Sequence, residues 1–139
     1  MPTCTCFALR KLSRTVSRFY DWHLGAAGLK TTQYSLLRSI AIEPLPVAAL
    51  AARLSIERTT LTRNLKPLID AGWVVLEPGN DARQKIVVIT PAGRKAIDAA
   101  TQAWQRAQSA LDAALGRRAI LDLHRMVAAT LEKLTPLGR

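Results

Sequence analysis

Apolar residues recur along most of this chain at helical spacing, and glycines, prolines and hydroxyls punctuate the pattern. Over residues 8–24, Leu9, Leu12, Val16, Phe19 and His23 share one stripe, interleaved with Arg10, Lys11, Arg14 and Arg18. "GAAGLKTT" then interrupts with two glycines and offers Thr31 or Thr32 as the N-cap of a second helix, which carries Tyr34, Leu37, Ile40 and Ala41 in phase. "EPLP" stops that helix, because proline cannot donate and disfavours helix in the residue before it. Val47, Leu50, Ala51 and Leu54 define a third, short helix. After "SIE", Leu61, Leu65, Leu68 and Ile69 define a fourth, with Gly72 as its C-cap. Pro67 lies inside this fourth helix and is expected to kink its last turns.

The period then changes. "WVVLEP", "GND" and "ARQKIVVIT" predict strand, turn and strand, rich in Val and Ile around a Gly-Asn-Asp tip. Helix restarts at "TPAGRKAI", with Thr90 as cap and Pro91 at the first position. Ile97, Ala100, Trp104, Ala107, Leu111 and Leu115 form one long stripe. Ile120, Leu123, Val127, Leu131 and Leu134 form another, and Gly116 divides the two.

Two compact helices joined by about three residues match a helix-turn-helix, and a hairpin directly after it is a wing. The predicted fold is therefore mainly α with a small β-hairpin wing. Residues 30–91 form a winged helix-turn-helix lobe, and residues 1–29 and 92–139 a helical dimerisation lobe, within one domain. The terminal stripes exceed what a small winged lobe needs for its own core. They either pack on each other within one chain or join two chains, and paired half-site reading favours the second.

The polar side of the fourth helix bears Arg58, Thr59, Thr60, Thr62, Arg63 and Lys66, cations and hydroxyls without a carboxylate, and the wing adds Arg83 and Lys85. The whole chain of 139 residues carries a net charge of +10, which favours an anionic partner, nucleic acid foremost. Such residues neutralise phosphates; Arg63 can fork onto a guanine edge, the threonines can bond bases or phosphates, and Arg83 can enter a narrow minor groove. Asp81 would repel phosphate, so its expected role is structural, positioning Arg83 by a charge-assisted bond. The plain alternative is a solvated surface.

These elements, in this order, resemble the MarR family of bacterial transcriptional regulators over nearly the whole chain. The resemblance rests on "GLKTTQYSLLRSI", "LAARLSIERTTLTRNLKPLIDAGWV" and the wing "DARQKIVVITPAG", where Asp81 and Arg83 fill an Asp-x-Arg tip followed by an apolar strand. It implies an obligate homodimer on a palindromic duplex operator, joined through its N-terminal and two C-terminal helices. It also implies release by a small-molecule effector or by oxidation.

Cys4 and Cys6 are the only cysteines, too few for a disulfide framework. Residues two apart do not share a helix face, so both are expected in extended chain entering the first helix. There Arg10 and Lys11 would favour thiolate at Cys6. Three readings stay open: thiol oxidation, to sulfenate or to a disulfide between chains; capture of a soft metal; and two small core residues. "CFAL" with the following Arg and Tyr is similar to the hydroperoxide-sensing OhrR branch of the family. That similarity places the reactive cysteine at Cys6 and a hydrogen-bonding tyrosine at Tyr20, with its other two tyrosine positions occupied by Arg10 and Thr31. Trp22 and His23, near Tyr20, are candidates for a ligand pocket. His124 lies on an apolar stripe and is expected at an interface.

No apolar run has the length of a membrane span, and "MPTCTCFALRKLSR" lacks a secretory signal, so a cytoplasmic protein is expected. No Gly-rich phosphate loop, paired carboxylates or nucleophile–histidine motif is visible, so neither an enzyme nor a cofactor is expected, and no zinc spacing is present. The alternatives to a sequence-specific regulator, a repressor by family default, are an architectural protein that coats duplex and an adaptor that binds only proteins.

Overall fold

The computed structural model describes residues 3–138, so the first two residues and the last of the expected helical lobe lie outside it. The elements are α1 (Thr5–Leu24), α2 (Thr31–Ile42), β1 (Leu45–Pro46), α3 (Val47–Leu54), α4 (Arg58–Asp70), β2 (Val74–Pro78), β3 (Lys85–Ile89), α5 (Pro91–Leu115) and α6 (Arg117–Leu134). Short 3-10 turns follow α1 and α6. The chain forms two compact units, one reaching through Trp104 and the other from Gln105 onward.

The first unit has one core. Leu24, Leu29, Tyr34, Leu37, Ile40, Val47, Leu50, Leu61, Leu65, Leu68, Val74, Val87, Ala100 and Ala103 are buried in it together. Each fully buried large aliphatic contributes about 1.5–3 kcal/mol, so the phases of α2, α3 and α4 are set by these residues rather than by helix propensity. Ile69, expected on the same apolar face, is instead partly exposed at the edge of α4. α2 is also tied to the middle of α5. The Tyr34 hydroxyl lies 3.3 Å from Thr101 Oγ1, and the Arg38 guanidinium stands 5.3 Å from the Trp104 ring and 5.9 Å from that of Tyr34.

The helix-turn-helix turn has a cap without glycine. Ser55 adopts φ 54°, and the N–H groups of Ser55 and Ile56 bond the carbonyls of Ala52 and Ala51. That is a Schellman closure, with Ile56 packed against the core. α4 closes the same way through Gly72, whose N–H bonds Ile69 O while Trp73 N–H bonds Leu68 O. α4 continues through Pro67 to Asp70, the proline costing one backbone bond without ending the helix.

Two expectations are corrected and one is extended. The N-cap of α2 is Lys30, not Thr31 or Thr32, because the Gln33 side chain accepts from the Lys30 N–H at 3.0 Å and Asp21 Oδ1 accepts from the Thr31 N–H at 2.6 Å. The expected hairpin is present as β2 and β3, and β1 adds an unexpected third strand, giving the antiparallel order β1-β3-β2. Pro44 and Pro46 bias the residues before them to extended backbone, so Leu45 and Pro46 pair with Val87 and Ile86 on the free edge of β3. Cys6 lies within the first turn of α1, and only Cys4 keeps the extended backbone expected for both.

Thr90 caps α5: its Oγ1 accepts from the Gly93 N–H at 3.1 Å and donates to Gly72 O at 2.6 Å. The second unit comprises the end of α5, a bend at Gly116 (φ 84°), and α6. In it Leu121, Leu123, Met126, Val127, Leu131 and Leu134 are solvent-exposed, as is His124.

Gly93 sits where the first turn of α5 meets the end of β3. A Cβ there would overlap the Trp73 carbonyl and stand 2.8 Å from Ile89 Cγ1, whereas one at Gly25 would meet nothing within 4 Å. Gly93→Ala is expected to destabilise the protein by about 1–3 kcal/mol, since backbone cannot step aside. Gly25→Ala, at a right-handed position, should be neutral or stabilising by up to about 1 kcal/mol. Denaturant midpoints of the two variants check both.

Candidate nucleic-acid interface

With Leu61, Leu65 and Leu68 buried, the rest of α4 is laid out by helix geometry. At about 100° per residue, Thr59, Arg63 and Lys66 fall within roughly 60° of one another on the side opposite the leucines. All three are exposed. Arg58 and Thr62 lie on one flank of this crest, and Thr60 and Asn64 on the other.

Local bonds give these residues different freedoms. Thr62 Oγ1 donates to Arg58 O at 3.0 Å, so its proton is already used. Thr60 is half-buried, off the crest. Lys66 Nζ lies 3.0 Å from Asp70 Oδ2, in an exposed pair one turn apart. Asp70 is a carboxylate on a face that sequence reasoning took to carry none. Its position four residues after Lys66 was the available signal. Arg63 and Thr59 are the crest residues with directed donors and no such tie.

The wing is anchored by register: Val74 pairs with Ile89, Leu76 with Val87, and Pro78 with Lys85. Its tip, residues 79–84, is a closed turn. Gly79 N–H bonds Gln84 O, Gln84 N–H bonds Asp81 O, and Asp81 Oδ1 accepts from the backbone N–H of Arg83 at 3.1 Å. Asp81 thus acts on Arg83 through the main chain and leaves the guanidinium exposed. Arg83 and Lys85 line a notch of about 270 Å³ together with Arg58, Asp81, Gln84, Pro46, Val47 and Ala48. The structure therefore brings Arg58 to the wing rather than to the crest.

A second concavity, of about 380 Å³, lies on the other flank of α4. Ser17 of α1, Thr31, Thr32, Ser35, Leu36 and Ser39 of α2, Leu54 and Ile56 near the turn, and Asn64 line it. Trp22 and His23, the expected pocket residues, do not. The α1 face turned to α2 carries Ser17, Asp21 and Leu24, and Trp22 projects about 100° or more away from it. Trp22 is 80% exposed, and its ring meets only the edge of His23, at 4.9 Å, among the described ring contacts. Sequence reasoning missed Asn64 and the serines, which follow no chemical motif.

Cys4 and Cys6 are both exposed thiols. Tyr20 lies fourteen residues beyond Cys6 in the same helix, about 21 Å along its axis, so the two do not meet within one chain. No cluster of metal-ligating side chains exists among the described residues, and none of the described helices is long and apolar enough to cross a membrane.

A sequence profile described as MarR family matches residues 27–84. The transcriptional regulator MosR of M. tuberculosis, crystallised in complex with DNA, is 36% identical, covering 92% of this chain and 98% of its own, with a TM-score of 0.76. An uncharacterised HTH-type transcriptional regulator of Bacillus subtilis, YwoH, is 31% identical over 88 residues; the alignment spans 63% of this chain and 64% of that relative. A MarR variant of E. coli, complexed with operator DNA, shares the fold at a TM-score of 0.80 and 24% identity, over 89% of this chain and 91% of its own.

Asp81→Ala removes one acceptor from an exposed turn. The Arg83 amide should exchange with solvent faster while global stability changes by no more than about 1 kcal/mol. Hydrogen exchange followed by NMR measures both.

Proposed function

This chain belongs to the MarR family, and from that premise we propose that it is a sequence-specific, duplex-DNA-binding transcriptional regulator, a repressor acting as a homodimer on a palindromic operator. The observation that carries the proposal is the exposed crest of α4, with Thr59, Arg63 and Lys66 aligned opposite a buried leucine face. An α-helix fits the major groove, and Arg63 supplies the forked donor that discriminates guanine. Arg83 at the wing tip suits the edge of the minor groove, where its guanidinium also reaches a flanking phosphate, and the remaining cations neutralise phosphates.

Unpartnered apolar faces support the homodimer. Met126 is 68% and Leu131 60% exposed on α6, alongside Leu121, Leu123, Val127 and Leu134, and α1 exposes Phe7, Leu9 and Leu12. Contiguous apolar patches of this kind mark interaction surfaces. Twofold pairing through them would make residues 1–29 and 92–139 a dimerisation lobe and present two recognition helices to half-sites about 34–36 Å apart. The protein would work in the cytoplasm, where the DNA is.

Two signals for release are supported. The 380 Å³ cavity is of a size and lining that suit a small molecule with several hydrogen-bonding groups. Exposed Cys6 in the first turn of α1 is open to a peroxide. The thiolate would take one oxygen to become sulfenate while the peroxide is reduced to alcohol or water. A thiol of a second chain would then displace hydroxide, leaving a disulfide and water.

Operator selection followed by binding assays tests the proposal. Preference for the selected duplex over random duplex should reach roughly a thousandfold at physiological salt. Equal affinity for both would instead indicate an architectural coat, and no duplex binding an adaptor. In the same assay Arg63→Ala should lose about 1–3 kcal/mol and relax one base position; an unchanged affinity and footprint would remove Arg63 from base reading. Cys6→Ser should bind the operator normally but resist release by hydroperoxide. Release of that variant at the wild-type dose would exclude Cys6 as the sensor.

A further inference from the structure

Resting on the DNA-binding reading, we infer that the notch between the wing and α3 is a discrete seat for one tetrahedral oxyanion, a single phosphate of the duplex backbone. Three cationic side chains, Arg58, Arg83 and Lys85, line one concavity, although they come from a helix start, a turn and a strand. Nothing in the core requires that convergence, since all three are exposed and none is in a described ion pair. The one carboxylate on the wall, Asp81, has an oxygen engaged by the Arg83 main-chain N–H, so three positive charges face one negative. The lining also includes Pro46, Val47 and Ala48, where α3 begins without a side-chain cap. A volume of about 270 Å³ holds an oxyanion and several waters, a water occupying about 30 Å³ of liquid.

The seat separates two tasks on α4. The crest faces base edges, whereas Arg58, a flank residue, acts with the wing on the backbone. It therefore fixes the angle between wing and recognition helix on the duplex without carrying sequence information. A free oxyanion has the same chemistry as the backbone phosphate and enters the same seat when DNA is absent.

Inorganic phosphate is the first probe. Titrated into the full chain against chloride at equal ionic strength, it should shift the backbone amide resonances of Val47, Ala48, Gln84 and Lys85 in a saturable way. Arg58→Gln and, separately, Lys85→Gln should each weaken that response at least several-fold, and neither exposed position touches the core. Shifts scattered over the surface, or unchanged in both variants, overturn the seat. The duplex is the second probe. Arg58→Gln should weaken operator and random duplex by the same factor and flatten the dependence of log K on log salt by about 0.9. A wild-type slope, or a loss confined to the operator, overturns the backbone assignment while leaving DNA binding itself intact. Failure of the unaltered chain to bind any duplex would overturn the DNA reading instead, and the phosphate titration would still decide whether the seat exists.

Discussion

Burial of Leu61, Leu65 and Leu68 in the core that also holds Tyr34, Leu37, Leu50 and Val87 fixes the rotation of α4 about its own axis. Turning the helix by one residue would expose two or three leucines, at about 1.5–3 kcal/mol each, against a whole-domain stability of about 5–15 kcal/mol. The crest of Thr59, Arg63 and Lys66 is thus pointed outward by the core and not by any contact of its own. The same core sets the flanks. One turns Arg58 to the wing, and the other turns Asn64 to α2 and the cavity. Every functional statement about this surface depends on that phase.

Electrostatics acts on the surface so placed. The chain's charge of +10 draws a polyanion from a distance, but at ionic strengths near 0.15 M only charges within about 8 Å act strongly, so local arrangement decides. Lys66 illustrates the scale. Its exposed pair with Asp70 is of a kind that stabilises by about 0.3–0.5 kcal/mol, too little to withhold the ammonium from a phosphate. Asp81 differs because its carboxylate bonds a main-chain N–H inside a closed turn and shapes the wing tip instead of neutralising it.

What could be read from the amino-acid order follows from range. The α4 phase, the strands of the wing, the Thr90 cap and the break at Gly116 depend on residues a few positions apart, and periodicity or turn chemistry records them. β1 was illegible because two residues have no period, and their pairing depends on an edge of β3 forty residues later. The Lys30 cap was hidden because Asp21, ten residues upstream, takes the Thr31 N–H. The Ser55 turn lacks the glycine that would have announced it. In the candidate site, the cations were visible by type and spacing, but their division between crest and notch was not. That division arises where a helix start meets a strand end, and only the folded chain sets them side by side. Trp22 and His23 were singled out by ring chemistry, and helix phase turns Trp22 away from the cavity beside α4.

The cavity lined by Ser17, Ser35 and Asn64 bears on how DNA release would operate. It touches the flank of α4 but not its crest, so an occupant would not compete with bases for Arg63. Any effect on DNA must come from a preference for a different placement of α4 against α1 and α2, and each tenfold loss of operator affinity requires about 1.4 kcal/mol of such preference. Two structural facts bound that movement. The Asp21–Thr31 bond ties α1 to α2 at 2.6 Å, and Tyr34 with Arg38 ties α2 to the middle of α5. α4 is held by its leucine face and by the Schellman closure of its C-terminal end, and among the described side-chain bonds none joins it to α1 or α2. A shift of α4 within its leucine socket would displace the crest together with the Arg58 side of the notch, because Thr59 and Arg63 share its backbone with Arg58. On the DNA-binding reading proposed above, a ligand on that flank would loosen the proposed backbone and base contacts in one movement, which a ligand at the crest would not need to do.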